Sequence, residues 1–198
     1  MKPYTLADAE ADLRRAIDDN QAGAIAGFGR IVDDLDQRPQ VSLEAAALWY
    51  AQQGLHVFPL SPGSKIPFKG TGGFKDATTD DFIINAWWGE HPDANIGIAT
   101  GHLVDVIDID GLPGQTSRLA HWDMLTAIPD LGCVSTPRPG GMHIYVPATG
   151  RGNKAGLLPG IDYRGAGGYV VAPPSTNDQG RYTWLAPLDL PRLEADAA

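Results

Sequence analysis

Cysteine is nearly absent from this chain of 198 residues: Cys133 stands alone. That excludes an intramolecular disulfide and any zinc site built from a cysteine cluster, so stability has to come from packing. Long apolar runs are also missing. None approaches the roughly 20 residues that a membrane-spanning helix needs, and the N-terminus lacks a basic-then-apolar leader pattern, so a cytoplasmic protein with no membrane partner is expected. A basic excess is missing as well, the formal net charge being −9. Proteins that hold nucleic acid usually present a basic surface to phosphates. The charge is uneven, however. Residues 1–40 carry eight acids against five bases, whereas between Val134 and Tyr182 five bases (Arg138, Arg151, Lys154, Arg164, Arg181) face two acids (Asp162, Asp178). Carboxylates committed to metal ions would be neutralised in addition.

The hydrophobic fraction of 43% suffices for one ordinary domain and a small appendage. Apolar residues at helical spacing from Leu6 to Leu35 predict one or two helices over 5–36, ended by Arg38-Pro39-Gln40, and a boundary near residue 40. The expected layout is a helical segment over 1–40, a main domain over 41–192 and an acidic tail over 193–198. Ser42 and Glu44 open a further helix running to Gly54, Leu55–Leu60 reads as a strand, and Thr78-Thr79-Asp80-Asp81 starts a second helix. Segments 95–99 and 103–109, separated by Thr100-Gly101-His102, predict a hairpin. A helix over Thr116–Ile128 and strands at Val134, Met142–Val146, Tyr169–Ala172 and Tyr182–Leu185 follow. Helices interleaved with short strands, several of them antiparallel neighbours, make an α+β domain.

Chemistry concentrates in three segments. In Val104-Asp105-Val106-Ile107-Asp108-Ile109-Asp110 an apolar strand ends in alternating acids. Side chains alternate across a strand, so Asp108 and Asp110 share a face while Asp105 lies on the other. Two carboxylates on one face can hold divalent cations. Thr136–His143 is a Gly-Gly turn entering a strand, which brings Arg138 and His143 to the two sides of one turn and suits a phosphate contact. In the third segment, Asp162 and Arg164 share a strand face ahead of a glycine-rich turn and the apolar Tyr169–Ala172.

Taken in order, Gly54–Leu60 with Lys65-Ile66-Pro67, Gly73–Asp80, Asn95–Gly101, Asp108-Ile109-Asp110, Thr136–His143 and Asp162–Ser175 resemble the bifunctional DNA primase/polymerase (prim-pol) family. Its members are replication proteins of phages, plasmids and mobile elements, related to the archaeo-eukaryotic primases. The resemblance runs from about Ala46 to Trp184. It implies a primase-like core, an RRM-like antiparallel sheet with flanking helices, preceded here by the small helical segment. It also implies nucleotidyl transfer from a dNTP or NTP to a primer or initiating nucleotide on a single-stranded DNA template, supported by two Mg²⁺ or Mn²⁺ ions. Asp108 and Asp110 match the family's paired metal ligands, Asp162 its third carboxylate and His143 its phosphate-contacting histidine. Arg138, Arg164 and Lys65 fall where basic residues near the triphosphate are expected. Gly141 belongs to the same nucleotide-binding turn, at a position where related primases often carry serine. Family members often continue into a helicase, so a C-terminal helicase region is expected in the full-length protein.

Two other readings use the same residues. A metal-dependent phosphodiesterase or nuclease would activate water with these acids, although such sites draw on more histidines than His143. A non-catalytic module of a replication protein would hold nucleotide or a structural ion without turnover.

Overall fold

The computed structural model describes residues 41–190 apart from 122–124 and 126; the helices expected over 5–36 and the tail from 193 lie outside the described residues. The chain divides into two units at Gln40/Val41, and the second is described here.

Local signals set its helices. Ser42 Oγ accepts the Ala45 amide, 3.1 Å away, and starts α1 (Leu43–Gln52), which buries Ala46, Ala47, Tyr50 and Ala51. Asp80 caps α2 (Asp81–Glu90) by accepting the Phe82 amide at 2.8 Å, and Ile84 and Trp88, four apart, form the buried stripe. Both helices pack with an antiparallel three-stranded sheet in which β2 (Asn95–Ala99) lies between β1 (Val57–Leu60) and β8 (Tyr169–Ala172). The strand expected from Leu55 thus begins two residues later.

The larger sheet has six antiparallel strands in the order β11-β4-β5-β3-β7-β6. They are β11 (Thr183–Ala186), β4 (Gly132–Ser135), β5 (Met142–Pro147), β3 (Val104–Ile109), β7 (Ile161–Arg164) and β6 (Lys154–Leu158). Its two faces are sorted by alternation. Val104, Val106, Val134 and Tyr145 join the core shared with the smaller sheet and the helices, while Ile107, Ile109, Val146 and Ile161 form a second cluster behind. A short ribbon, β9 (Thr176–Asn177) with β10 (Gly180–Arg181), completes the set. The fold is therefore α+β with antiparallel sheets and flanking helices, as expected.

Three expectations need correction. Segments 95–99 and 104–109 are not a hairpin: β2 pairs with β1 and β8, and β3 with β5 and β7. Between them the chain crosses from one sheet to the other. Gly101, at φ +89°, lies so close to Ala166 that a Cβ would stand 2.2 Å from its Cα, and Thr100 Oγ1 donates to Gly165 O at 2.7 Å. These contacts tie the crossing to the β7–β8 loop and divert the chain out of a turn. The helix expected from Thr116 starts earlier, as α3 (Gly111–Ala120), directly after β3. Gly111, at φ +58°, makes the bend, and Pro113 falls in the first turn, where its missing amide costs nothing. Finally, β6 and the β9–β10 ribbon were not anticipated.

Candidate functional site

Strand register assembles the site. On β3, Asp108 stands directly across from His143 on β5 and from Asp162 on β7. Directly opposed residues of antiparallel strands share a face, so the three side chains form one row across the middle of the sheet. Hydrophobic burial fixes that register: Ile107 and Ile109 are locked in the rear cluster, which forces Asp108 forward. Asp110, one residue past the strand, holds the N-cap position of α3. Its carboxylate makes no cap bond and turns instead to Arg138.

Guanidinium groups tie this row together. Arg164, two residues from Asp162 on the same face of β7, donates to Asp108 Oδ2 from Nε (3.2 Å) and Nη2 (2.9 Å), and from Nη2 to Asp162 Oδ2 at 2.8 Å. Arg138 donates to Asp110 Oδ1 at 2.7 Å. Asp162 is held from its other side by the Gly156 amide, 2.7 Å from Oδ1. His143 is buried, with Nε2 3.7 Å from Asp108 Oδ1 and Nδ1 without a hydrogen-bond partner. Burial pushes its pKa below the ordinary histidine value, against the opposing pull of Asp108. Direct charge pairing with the acids comes from the two arginines.

In front of this row lies a cleft of about 630 Å³, lined by Asp108, Asp110, His143, Arg138, Arg164 and Lys65 among others. That size is in the range of small-molecule and cofactor pockets. Asp162 and Gly141 do not line it. Asp162 reaches the site through Arg164, whereas Gly141 closes the β4–β5 turn, its amide donating to Arg138 O at 2.8 Å and its carbonyl accepting the Thr136 amide at 3.1 Å. A Cβ on Gly141 would stand 2.1 Å from Thr136 Oγ1. In this structure Gly141 shapes the turn that presents Arg138.

Several lining residues were not singled out in the sequence. The ring of Tyr182 lies 5.8 Å from that of His143, and its hydroxyl pKa is raised by burial and by Asp108. The β9–β10 turn contributes Asn177, Asp178 and Gln179 to one lip, and Ser64, beside Lys65, belongs to an adjoining one. Buried Asn95 joins the lips: its Nδ2 donates to Ser64 O (2.8 Å) and Thr176 O (2.6 Å), and its Oδ1 accepts the Thr176 amide (3.1 Å). The only sequence signal for Asn95 is an amide at the head of an otherwise apolar strand. Asp105, left out of the site on strand alternation, is buried behind the sheet. There it accepts bonds from Tyr163 Oη, the Thr149 amide and Thr149 Oγ1.

The acid oxygens are hard donors suited to Mg²⁺ or Mn²⁺, and the guanidinium groups on them show that the row accommodates cationic charge. Among the described residues no three histidine, cysteine or acidic side chains converge as a formed metal site. The residues fit such ions by chemistry, provided the carboxylates exchange their arginine partners. Among those residues, too, no helix is long and apolar enough to cross a membrane.

The family model for the N-terminal domain of bifunctional DNA primase/polymerases, Prim-Pol, matches residues 47–195. No curated protein matches the chain.

Proposed function

Because the chain belongs to the bifunctional DNA primase/polymerase family, we propose that the cleft carries out nucleotidyl transfer, adding a dNTP or NTP to a primer or initiating nucleotide on a single-stranded DNA template. The observation that supports this most is the row His143–Asp108–Asp162: with Asp110 and two arginines it sets acids and cations in and beside one nucleotide-sized cleft. Phage or plasmid replication, with a helicase region further along the full-length protein, is the matching context.

In this reading Asp108 and Asp110 offer carboxylate oxygens from the cleft wall, and Asp162 is the third acid, reached beside Arg164. Two divalent ions held there would supply acidity to the attacking 3′-hydroxyl and charge stabilisation to the phosphate and the departing pyrophosphate. The chain's own residues do the positioning. Arg138 and Arg164 offer planar donor pairs to phosphate oxygens, and Lys65 adds a point charge from the cleft wall. His143, whose pKa burial pulls down, offers a ring nitrogen for hydrogen bonding. The Tyr182 ring, 5.8 Å from that of His143, adds an aromatic face to the cleft lining. Nucleotide addition is dominated by positioning and electrostatics, so a site without a separate acid/base pair suffices.

The test is primer extension and de novo priming with each nucleotide set while pyrophosphate release is followed. One pyrophosphate per residue added supports the reading. Strand cleavage without pyrophosphate would replace it with a nuclease.

A further inference from the structure

Arg164 engages oxygens of two of the acids that would hold a divalent cation. Its guanidinium donates twice to Asp108 Oδ2 and once to Asp162 Oδ2, and the remaining Asp162 oxygen is taken by the Gly156 amide. Each oxygen of Asp162 therefore already accepts a protein donor, and the one on Oδ2 is Arg164. On Asp108 only Oδ1 is outside this clamp, facing His143. Arg164 is one-third exposed and lines the cleft, so it can swing off the acids toward a ligand without unpacking the core.

We propose that Arg164 is a positioning residue that couples metal binding to nucleotide binding by exchange. Without nucleotide, its guanidinium competes with the cation for Asp108 Oδ2 and Asp162 Oδ2, so loading the acids costs an ion pair. The triphosphate of an incoming nucleotide gives the displaced guanidinium new bidentate partners, which removes that cost. Metal and nucleotide therefore raise each other's affinity, and by reciprocity the same factor applies in both directions. The proposal rests on reading Asp108 and Asp162 as metal ligands.

The experiment is a Mn²⁺ titration of the full chain followed by electron paramagnetic resonance, alone and with a non-hydrolysable α,β-methylene deoxyadenosine triphosphate. Wild type is compared with Arg164→Ala, Arg164→Lys, Lys65→Ala and Asp108→Ala. Thermal melting of each variant establishes that it is folded. Arg164→Ala should bind Mn²⁺ about tenfold more tightly than wild type without nucleotide, and should bind the analogue more weakly. The enhancement of Mn²⁺ affinity by the analogue should shrink to that supplied by the analogue's own phosphates. Arg164→Lys, a point charge without a fork, should fall between them. Lys65→Ala removes a cleft cation that does not pair with these acids, and without nucleotide should change Mn²⁺ affinity less than about twofold if general electrostatics is not the cause. Equal or weaker Mn²⁺ binding by a folded Arg164→Ala protein, or an equal gain in Lys65→Ala, overturns the exchange while the metal site stands. Wild-type Mn²⁺ binding that survives Asp108→Ala unchanged overturns the metal-ligand reading itself, and the exchange with it.

Discussion

Asp108 and His143 face each other across paired strands, with Asp108 Oδ1 3.7 Å from His143 Nε2. A carboxylate in that position pulls an imidazole's pKa up, yet burial outweighs it and the net shift is downward. The direction of that shift sets the pH dependence of stability. His143 in the unfolded chain takes up a proton below about pH 6.5, whereas the folded protein resists it. Stability from this group is complete above that pH and declines as pH falls toward the lowered folded value. His143→Gln should flatten the decline in denaturation midpoints measured from pH 7.5 to 5. His56, also lowered by burial and by His102, contributes with the same sign, so the comparison of wild type with variant is the informative quantity. An unchanged slope in the variant would contradict the burial argument.

For activity, His143 is expected to act on the nucleotide and not on the metal, since an imidazole is a poor partner for Mg²⁺ beside carboxylates. His143→Ala should raise the nucleotide KM or lower kcat while the Mg²⁺ dependence of extension stays nearly constant. Rescue by added Mg²⁺ but not by added nucleotide would move His143 to the metal.

Asp108→Ala, Asp110→Ala and Asp162→Ala should each lower extension about 100-fold or more, about 2.7 kcal/mol in the barrier, with melting temperature little changed. Asp162 is the discriminating case because it stands outside the cleft wall, with both oxygens occupied by protein donors. Near-full extension by Asp162→Ala would remove it from the catalytic set.

Asn95 holds the two lips of the cleft through three bonds. Asn95→Ala strands Ser64 O and the Thr176 backbone, and should cost about 1–3 kcal/mol in urea unfolding. Because both lips line the cleft, nucleotide KM should rise more than kcat falls. A stability loss with unaltered KM would show that the lips are placed without it.

Gly141→Ser installs the residue common in related primases, but its Cβ meets Thr136 Oγ1 and comes within 3.0 Å of Arg138 O. The single variant should lose about 1–3 kcal/mol, and Thr136→Ala should recover much of that in the double variant. Strict additivity of the two changes would mean that the turn relaxes by another route.

Deletion to a start at Val41 should preserve nucleotide incorporation, because every residue assigned to the site lies beyond it. A folded deletion protein without incorporation would give residues 1–40 a direct role.

That Asp108 and Asp110 both reach the cleft was readable because alternation along one extended segment is a local property, and Asp110 keeps extended backbone past the strand end. The row with His143 and Asp162 was not, since it depends on register between segments separated by 35 and 54 positions in the chain, and that register is set by which isoleucines the rear cluster takes. The false hairpin at Thr100–His102 failed for a related reason. A short loop between two strands favours pairing until distant contacts intervene, here with Gly165 and Ala166. Gly111-Leu112-Pro113-Gly114 looks like a turn, yet it starts α3. Gly114 must be small because Gly160 O lies 2.3 Å from where its Cβ would be. Tyr182 and the 177–179 turn belong to the cleft through tertiary folding alone, and no local pattern marks them.

The row of opposed residues also ties activity to folding fidelity. Were β7 to slip by one position against β3, Asp162 and Arg164 would turn into the rear apolar cluster, and Ile161 and Tyr163 would face the cleft. Such a conformer would bury an ion pair behind the sheet and put apolar side chains where Asp162 and Arg164 stood. Misassembled molecules would then be catalytically silent and aggregation-prone together, so the active fraction of a preparation would count its correctly registered molecules.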